Sequence, residues 1–134
     1  MMRWKKCALA LLACVAGLAA VGFTNAAGNP FAGSWSGTYA LPDFGGGGTA
    51  ELDISKSGVL MGRSVNFDGT GHTLIGHVAA DGAAVGVAIF DDPGHAAETF
   101  SGNCSIDAGG TMVADLTGCI QNNCFALIVT VTQP

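Results

Sequence analysis

Residues 49–55 read TAELDIS, and apolar and polar side chains alternate through them without a break. The even-numbered residues are apolar whereas Glu51 and Asp53 are acidic, which is the period of two of a strand with one buried face. Lys56-Ser57-Gly58 follows, and such a polar segment ending in glycine is typical of a tight turn. The stretch therefore predicts a β-strand that ends in a hairpin turn.

The same alternation continues on both sides of this stretch and gives eight predicted strands separated by turn signals rich in Gly, Asp and Asn. Their approximate bounds are Ser34–Leu41, Thr49–Ser55, Val59–Phe67, His72–Ala79, Ala84–Phe90, Thr99–Ile106, Thr111–Cys119 and Cys124–Thr132. No segment keeps a helical period. We therefore predict an all-β fold, an eight-stranded antiparallel up-and-down meander. A closed barrel is favoured because closure removes both sheet edges, and a two-sheet sandwich is the alternative.

Alternation also predicts which side chains face the interior. The larger ones expected inside are Trp35, Tyr39, Leu52, Met61, Val65, Phe67, Leu74, Val78, Val85, Val87, Ile89, Phe100, Cys104, Ile106, Met112, Leu116, Phe125, Leu127, Val129 and Val131. Small residues such as Gly37, Ala50 and Ala114 fall between them. An eight-stranded barrel is just wide enough for side chains to fill it, so the sequence leaves open whether the interior is filled or hollow.

Arg63 has two possible orientations in the third predicted strand. Uninterrupted alternation places it on the face of Val65 and Phe67, where a buried guanidinium needs a carboxylate or an anionic ligand head group. A β-bulge at Gly62 instead turns Arg63 outward. The sequence leaves both orientations open.

Residues 1–26 are typical of an export signal. Three basic side chains lie within residues 1–6, an apolar stretch runs over residues 7–23, and small residues follow it. We expect cleavage after Ala26, with cleavage after Ala27 as the alternative. Cleavage after Ala26 leaves residues 27–134 as a single all-β domain in the periplasm or outside the cell. The alternatives are an uncleaved membrane anchor and a lipoprotein attached through Cys14.

The composition is acidic and rich in glycine. The 134 residues include five Lys and Arg against ten Asp and Glu, together with 21 glycines. Removal of the signal leaves Lys56 and Arg63 as the basic side chains. Nucleic acid is therefore strongly disfavoured as a partner, and so are anionic membrane surfaces, because both are bound through many basic side chains. We expect no membrane span after signal cleavage.

A short motif leads into the first predicted strand. Asn29-Pro30-Phe31-Ala32-Gly33-Ser34-Trp35 resembles the Gly-x-Trp opening of lipocalins and avidin-like proteins. The resemblance implies that the chain enters an eight-stranded barrel at its closed end, and that residues 42–48 form a lid over an open mouth at the other end. Trp35 is the only tryptophan after the signal, so the tryptophan-lined biotin site of avidin-like proteins is not expected. Without the resemblance, Trp35 is interpreted as a core aromatic.

Successive connections of a meander alternate between the two ends of the sheet. One end collects tight turns at 56–58, 80–82 and 107–110, and the other collects the more irregular connections at 42–48, 68–71, 91–98 and 120–123. Because long loops on a rigid scaffold carry many binding residues, we predict a ligand site at the second end. The candidate ligand-binding residues are Tyr39, Asp43, Phe44, Arg63, His72, Asp91, Asp92 and His95.

The carboxylates and imidazoles in this set raise the alternative of a metal site. Their spacing matches no recognised Zn²⁺ or Ca²⁺ loop, and Asp-Gly, Asp-Pro and Asp-Asp are ordinary turn sequences in which the carboxylate caps backbone N–H groups. We predict turn chemistry and no metal or cofactor. The sequence also has no recognisable catalytic triad or phosphate-binding loop, so we expect no enzyme.

Three cysteines remain after the signal, in a compartment where disulfides form. Alternation turns Cys119 and Cys124 to the outer face on either side of one hairpin loop, and we predict that they are bonded to each other. Cys104 faces inward and is predicted to be a buried free thiol.

Two functions fit these observations. The first is an exported barrel that takes a small apolar or amphipathic ligand at the loop end. The alternative is a filled barrel, an inhibitor or accessory protein, whose acidic surface loops bind a basic macromolecular partner. The sequence does not separate the two.

Overall fold

A computed structural model describes residues 28–134, and the eight predicted strands are present in it. They are β1 (Gly33–Leu41), β2 (Gly46–Ile54), β3 (Val59–Asn66), β4 (Gly71–Val78), β5 (Ala83–Phe90), β6 (Glu98–Ile106), β7 (Met112–Ile120) and β8 (Asn123–Thr132). The predicted export signal lies outside the described residues, as do its alternatives. Within residues 28–134, no helix has the length and hydropathy needed to cross a membrane.

Each strand pairs in antiparallel fashion with the next, and β8 returns to pair with β1. Every strand therefore has two neighbours, and the described sheet has no unpaired edge. The predicted all-β meander is confirmed, and it closes into a barrel and not into a sandwich.

The connections fall at two ends of the barrel. The loop end carries residues 42–45, 67–70, 91–97 and 121–122, and the turn end carries residues 55–58, 79–82 and 107–111. The first connection is shorter than predicted because residues 46–48 belong to β2. A Cβ atom on Gly48 would collide with the Val65 carbonyl of β3, so glycine lets β2 and β3 approach closely there. The predicted lid over 42–48 is therefore reduced to a turn of residues 42–45.

Aspartate side chains cap turns at both ends of the barrel, and the sequence predicted such capping at the loop end. The Oδ1 atoms of Asp68 and Asp92 accept hydrogen bonds from the backbone N–H groups of Thr70 and Gly94, both at 2.9 Å. Asp107 does the same for Gly109, at 2.9 Å. These carboxylates satisfy backbone donors that a short turn otherwise leaves unpaired.

Two strands face the opposite way from the prediction. The side chains of β3 and β5 that were expected inside are on the outer face: Met61, Val65, Phe67, Val85, Val87 and Ile89. Phe67 is 77% exposed and Val85 57% exposed. The inward positions belong to smaller or polar residues, among them Ser64, Ala84 and Ala88. The prediction was wrong because it assigned the bulkier apolar face to the interior.

Arg63 is on the outer face, but no bulge places it there. The pairing of β2 with β3 is continuous past Gly62, with Arg63 opposite Glu51 and Met61 opposite Asp53. The predicted bulge at Gly62 is therefore wrong, and so is the inward alternative for Arg63. Simple alternation turns Arg63 outward because the even-numbered residues of β3 face inward.

The interior at the turn end is filled by packed side chains. Trp35 is 4% exposed, and its indole Nε1 donates a hydrogen bond to the carbonyl oxygen of Phe31 at 2.8 Å. Phe31, Met112 and Val131 are buried in the same core cluster. Trp35 is thus a core aromatic with its one polar atom satisfied.

The cysteine predictions are confirmed. Cys119 and Cys124 form a disulfide across the 121–122 turn, with their Cα atoms 4.0 Å apart. The bond joins β7 to β8 at the loop end. Cys104 is free and buried, and burial raises the pKa of its thiol to about 11, so it stays protonated and unreactive.

Candidate ligand-binding cavity

The barrel interior is hollow. It encloses a cavity of about 440 Å³, and all eight strands contribute side chains to its wall. Most of these side chains are apolar, such as Leu52, Leu74 and Leu127. Cys104 lines the same cavity.

Glycines leave several inward-facing positions of the barrel without a side chain. Seven of the eight strands carry a glycine at an inward-facing position: Gly37, Gly48, Gly62, Gly76, Gly86, Gly102 and Gly118. At six of them a Cβ atom would collide with the backbone of the neighbouring strand; at Gly118 it would instead meet side chains. The strands therefore approach each other closely at these points, and no side chain projects from them into the interior.

Polar side chains are concentrated in the part of the cavity wall nearest the loop end. They are Tyr39, Ser64, Asn66, His72, Glu98 and Asn123. An apolar wall with a few convergent polar groups is the usual composition of a small-molecule site. The polar groups would fix the orientation of a molecule whose apolar part fills the rest.

Tyr39 holds a buried hydroxyl without a protein partner. Its side chain is 8% exposed, and within residues 28–134 its Oη is the one buried side-chain polar atom that makes no hydrogen bond. Burial raises the pKa of Tyr39 to about 12, and the carboxylates of Glu98 and Asp68 add to the shift. The hydroxyl is therefore neutral at physiological pH and available to a ligand as donor and acceptor.

Glu98 is the first residue of β6, placed between Ala88 of β5 and Ile120 of β7. Gly118 leaves room for its side chain, because a Cβ atom there would lie 2.7 Å from Glu98 Oε2. Burial raises the pKa of Glu98 to about 7. Within the described part of the chain, no side-chain hydrogen bond or ion pair engages its carboxylate.

His72 is held rigidly in the wall. Its Nδ1 lies 3.0 Å from Ser64 Oγ, and its ring meets Phe90 edge-on with centroids 4.4 Å apart. Burial is the main cause that lowers the pKa of His72, so the ring is neutral at physiological pH. Phe90 also stacks on His95 at 4.9 Å, which connects the 91–97 loop to the cavity wall.

The 42–45 turn is fastened to β8. Asp43 Oδ2 accepts a hydrogen bond from the Ala126 backbone N–H at 3.2 Å, and Phe44 meets Phe125 edge-on with centroids 5.7 Å apart. Phe44 lines the cavity although 68% of it is exposed. The two predicted residues thus lie at the rim of the cavity. Asp43 holds the turn against β8, and Phe44 is part of the cavity wall.

The remaining predicted site residues do not face the cavity. Arg63 and Asp91 form an ion pair on the outer wall, with Arg63 Nη1 3.0 Å from Asp91 Oδ1, and the guanidinium lowers the pKa of Asp91. Asp92 and His95 are exposed in the 91–97 loop, with a carboxylate oxygen 3.7 Å from His95 Nε2. The predicted set is therefore divided between the cavity, the outer wall and this loop.

Sequence reasoning missed Glu98, Ser64, Asn66 and Asn123. Asn123 was missed because the last predicted strand began one residue later, at Cys124. Ser64 and Asn66 were missed because the third predicted strand was given the wrong phase. Glu98 has a clear signal: Phe100 and Cys104 were assigned inward, and counting back two residues from Phe100 places Glu98 on the same face.

Residues 28–134 contain no group of three His, Cys, Asp or Glu side chains arranged to hold a metal ion. No family model, curated protein or solved structure matches the chain. The closed barrel of eight antiparallel strands is compatible with the calycin-type fold that the Gly-x-Trp motif implies.

Proposed function

We propose that this protein is an exported binding protein that holds a small apolar or amphipathic molecule inside its barrel. The observation that carries the proposal is the hollow interior of about 440 Å³, whose wall is mostly apolar. This volume lies within the range of about 300–1,000 Å³ that is usual for small-molecule sites. The Cys119–Cys124 disulfide is consistent with an oxidising compartment and hence with export.

The packing of the barrel supports ligand uptake from the loop end. The turn end is filled by Phe31, Trp35 and Val131, whereas the polar groups of the cavity lie toward the loop end. A ligand that enters there with its apolar part first would bury that part against the deeper wall. Its polar group would then lie beside the Tyr39 hydroxyl and the Glu98 carboxylate, which have no hydrogen-bond partner among the described residues.

The test is a titration of the purified protein with N-phenyl-1-naphthylamine, an apolar dye whose fluorescence rises in apolar surroundings. We expect saturable binding at one site per chain and displacement of the dye by 1-decanol. An absence of saturable binding, together with no rise in melting temperature on addition of 1-decanol, would contradict the proposal and favour the alternative of a macromolecular partner.

A further inference from the structure

Charged side chains are distributed unevenly around the cavity. Five acidic residues lie at or near the loop end: Asp43, Asp68, Asp91, Asp92 and Glu98. Within residues 28–134 the basic side chains are Lys56, which lies in the 55–58 connection at the opposite end, and Arg63. Arg63 is on the outer wall and engaged by Asp91. No basic side chain of the described chain therefore lines the cavity.

Two polar groups of the cavity wall have no partner in the protein. The Tyr39 hydroxyl is buried and makes no hydrogen bond, and the Glu98 carboxylate has neither a hydrogen bond nor a counter-ion among the described residues. The charge of Glu98 raises the pKa of Tyr39, so the two groups interact electrostatically. Both groups line the cavity in the part of its wall nearest the loop end, where its other polar side chains also lie.

We propose that the ligand of this cavity is a lipophilic amine, whose ammonium group binds at Glu98 and Tyr39 while its apolar body fills the barrel. The inference rests on the proposed function, since it names the chemical class of the molecule that the barrel holds. An ammonium group has three donors and a positive charge, so it supplies the Glu98 carboxylate with a charge-assisted hydrogen bond. A second donor is free to bond Tyr39 Oη.

Other head groups fit the same wall less well. A carboxylate ligand would bring a negative charge toward Glu98 and Asp68 with no basic side chain to offset it, which is unfavourable in a mostly apolar cavity. An alcohol would satisfy the Tyr39 hydroxyl but leave Glu98 without a counter-charge. Amines, carboxylates and alcohols can share the same apolar body, so the head group determines which of the three classes binds most tightly.

The neighbouring titratable groups favour an ionised Glu98 in the complex. Tyr39 is neutral because of its high pKa, and His72 is neutral because burial lowers its pKa. Asp68 is anionic, since hydrogen bonds from Thr70 lower its pKa. An ammonium group is then the one positive charge in the cavity, and it would lower the pKa of Glu98 from about 7 by favouring the charged form.

The experiment compares decylamine, 1-decanol and decanoate by titration calorimetry at pH 8, where decylamine is protonated and decanoate is ionised. These probes share one apolar chain and differ in the head group. We expect decylamine to bind about tenfold or more tightly than 1-decanol, the difference that one charge-assisted hydrogen bond supplies, and decanoate to bind least tightly.

Two matched variants locate the effect. Glu98→Gln removes the charge but keeps the shape, and we expect it to weaken decylamine binding about tenfold while 1-decanol changes less than about threefold. Glu51→Gln makes the same chemical change on the exposed outer face of β2, and we expect it to leave all three affinities unchanged. The comparison separates a local contact from the effect of net charge.

The outcomes distinguish failure of the proposed function from failure of the amine preference. If none of the three probes binds to the wild-type protein, the proposed function itself fails. If 1-decanol or decanoate binds as tightly as decylamine, or if Glu98→Gln leaves decylamine affinity unchanged, the barrel is a binding protein but not for amines. Equal losses in Glu98→Gln and Glu51→Gln would also overturn the inference, because the preference would then come from the overall charge.

Discussion

Tyr39 and Glu98 are two residues that lower the stability of the ligand-free barrel. Both lie in an apolar wall, and both keep a polar group without a protein partner. Folded proteins satisfy the great majority of their buried polar groups, so the buried Tyr39 hydroxyl in particular calls for a physical reason. We propose that a bound ligand supplies the missing partner of both groups.

We expect Tyr39→Phe to stabilise the ligand-free protein. Removing a buried hydroxyl that has no hydrogen-bond partner relieves a desolvation penalty, and we expect a gain of about 1 kcal/mol in the free energy of unfolding. Urea unfolding of the two proteins without ligand measures the change. Saturation with decylamine should reduce or reverse the gain, because the wild-type hydroxyl is then bonded. A variant less stable than the wild type without ligand would show that Tyr39 Oη is satisfied within the protein.

Glu98 makes stability depend on pH in a specific direction. Burial raises its pKa from 4.5 to about 7 in the folded state. Between these values the unfolded chain loses the proton while the folded protein keeps it, so stability falls as pH rises and levels off above pH 7. Below the lower value both states are protonated and the residue has no effect.

At pH 4, where Glu98 is neutral, we expect Glu98→Gln to differ from the wild type only by the effect of exchanging one neutral side chain for another. At pH 8 we expect the free energy of unfolding of the variant to have risen by about 1–2 kcal/mol relative to the wild type. The figure allows for solvent screening of a partly exposed carboxyl. Urea unfolding of both proteins at the two pH values measures the difference in their free energies of unfolding. His72 and the other titrating groups are present in both proteins, so their contributions largely cancel. A difference that stays flat with pH would contradict the assigned environment of Glu98.

At this scale the sequence predicted part of the candidate site. Tyr39 and His72 were found because they share a face with apolar neighbours near the loop end, and both line the cavity. Glu98 was missed because the predicted strand began at Thr99, one residue late. Arg63 and Asp91 were both predicted as ligand-binding residues, but they form an ion pair on the outer wall, since the odd-numbered residues of β3 face outward.

Among the strands, β3 and β5 show why alternation can indicate the wrong face. Both have apolar residues at alternate positions on the outside, such as Val59 and Val85, and small residues such as Ala84 inside. A rule that assigns the bulkier face to the core assumes a filled interior. In a hollow barrel the inner positions of some strands are small, so the rule selects the outer face. The cavity is thus the physical cause of both facing errors.

The inward glycines are a structural requirement of the strands that carry them. A Cβ atom on Gly86 would collide with the Ile75 carbonyl of β4 and the Phe100 ring of β6. We expect Gly86→Ala to lower the free energy of unfolding by about 1–3 kcal/mol, because backbone or ring must move. Thermal or urea unfolding measures the loss. Gly46→Ala is the control, since its added Cβ would make only ordinary contact with Leu41, at 3.8 Å. Equal stability of the two variants would contradict the close approach of β4 and β5.

The barrel divides along its axis into a packed part and a hollow part. Aromatic and aliphatic side chains fill the turn end, while the cavity and its polar groups extend toward the loop end. The meander and the Cys119–Cys124 disulfide were predictable from the sequence because both depend on local alternation and turn chemistry. Closure was favoured only by the general argument that a barrel leaves no sheet edge. The cavity was not predictable, because its volume depends on the sum of all inward positions and on the correct phase of every strand.

A pair of variants on neighbouring residues of β5 tests whether the ligand binds inside the barrel. Ala84 lines the cavity, whereas the adjacent Ala83 is exposed on the outer face of β5. Decylamine binding is measured by titration calorimetry for Ala84→Leu and for Ala83→Leu. We predict that Ala84→Leu weakens binding about tenfold or more, since the larger side chain occupies ligand space, while Ala83→Leu binds as the wild type does. Wild-type affinity in a folded Ala84→Leu variant would contradict the claim and place the binding site on the surface.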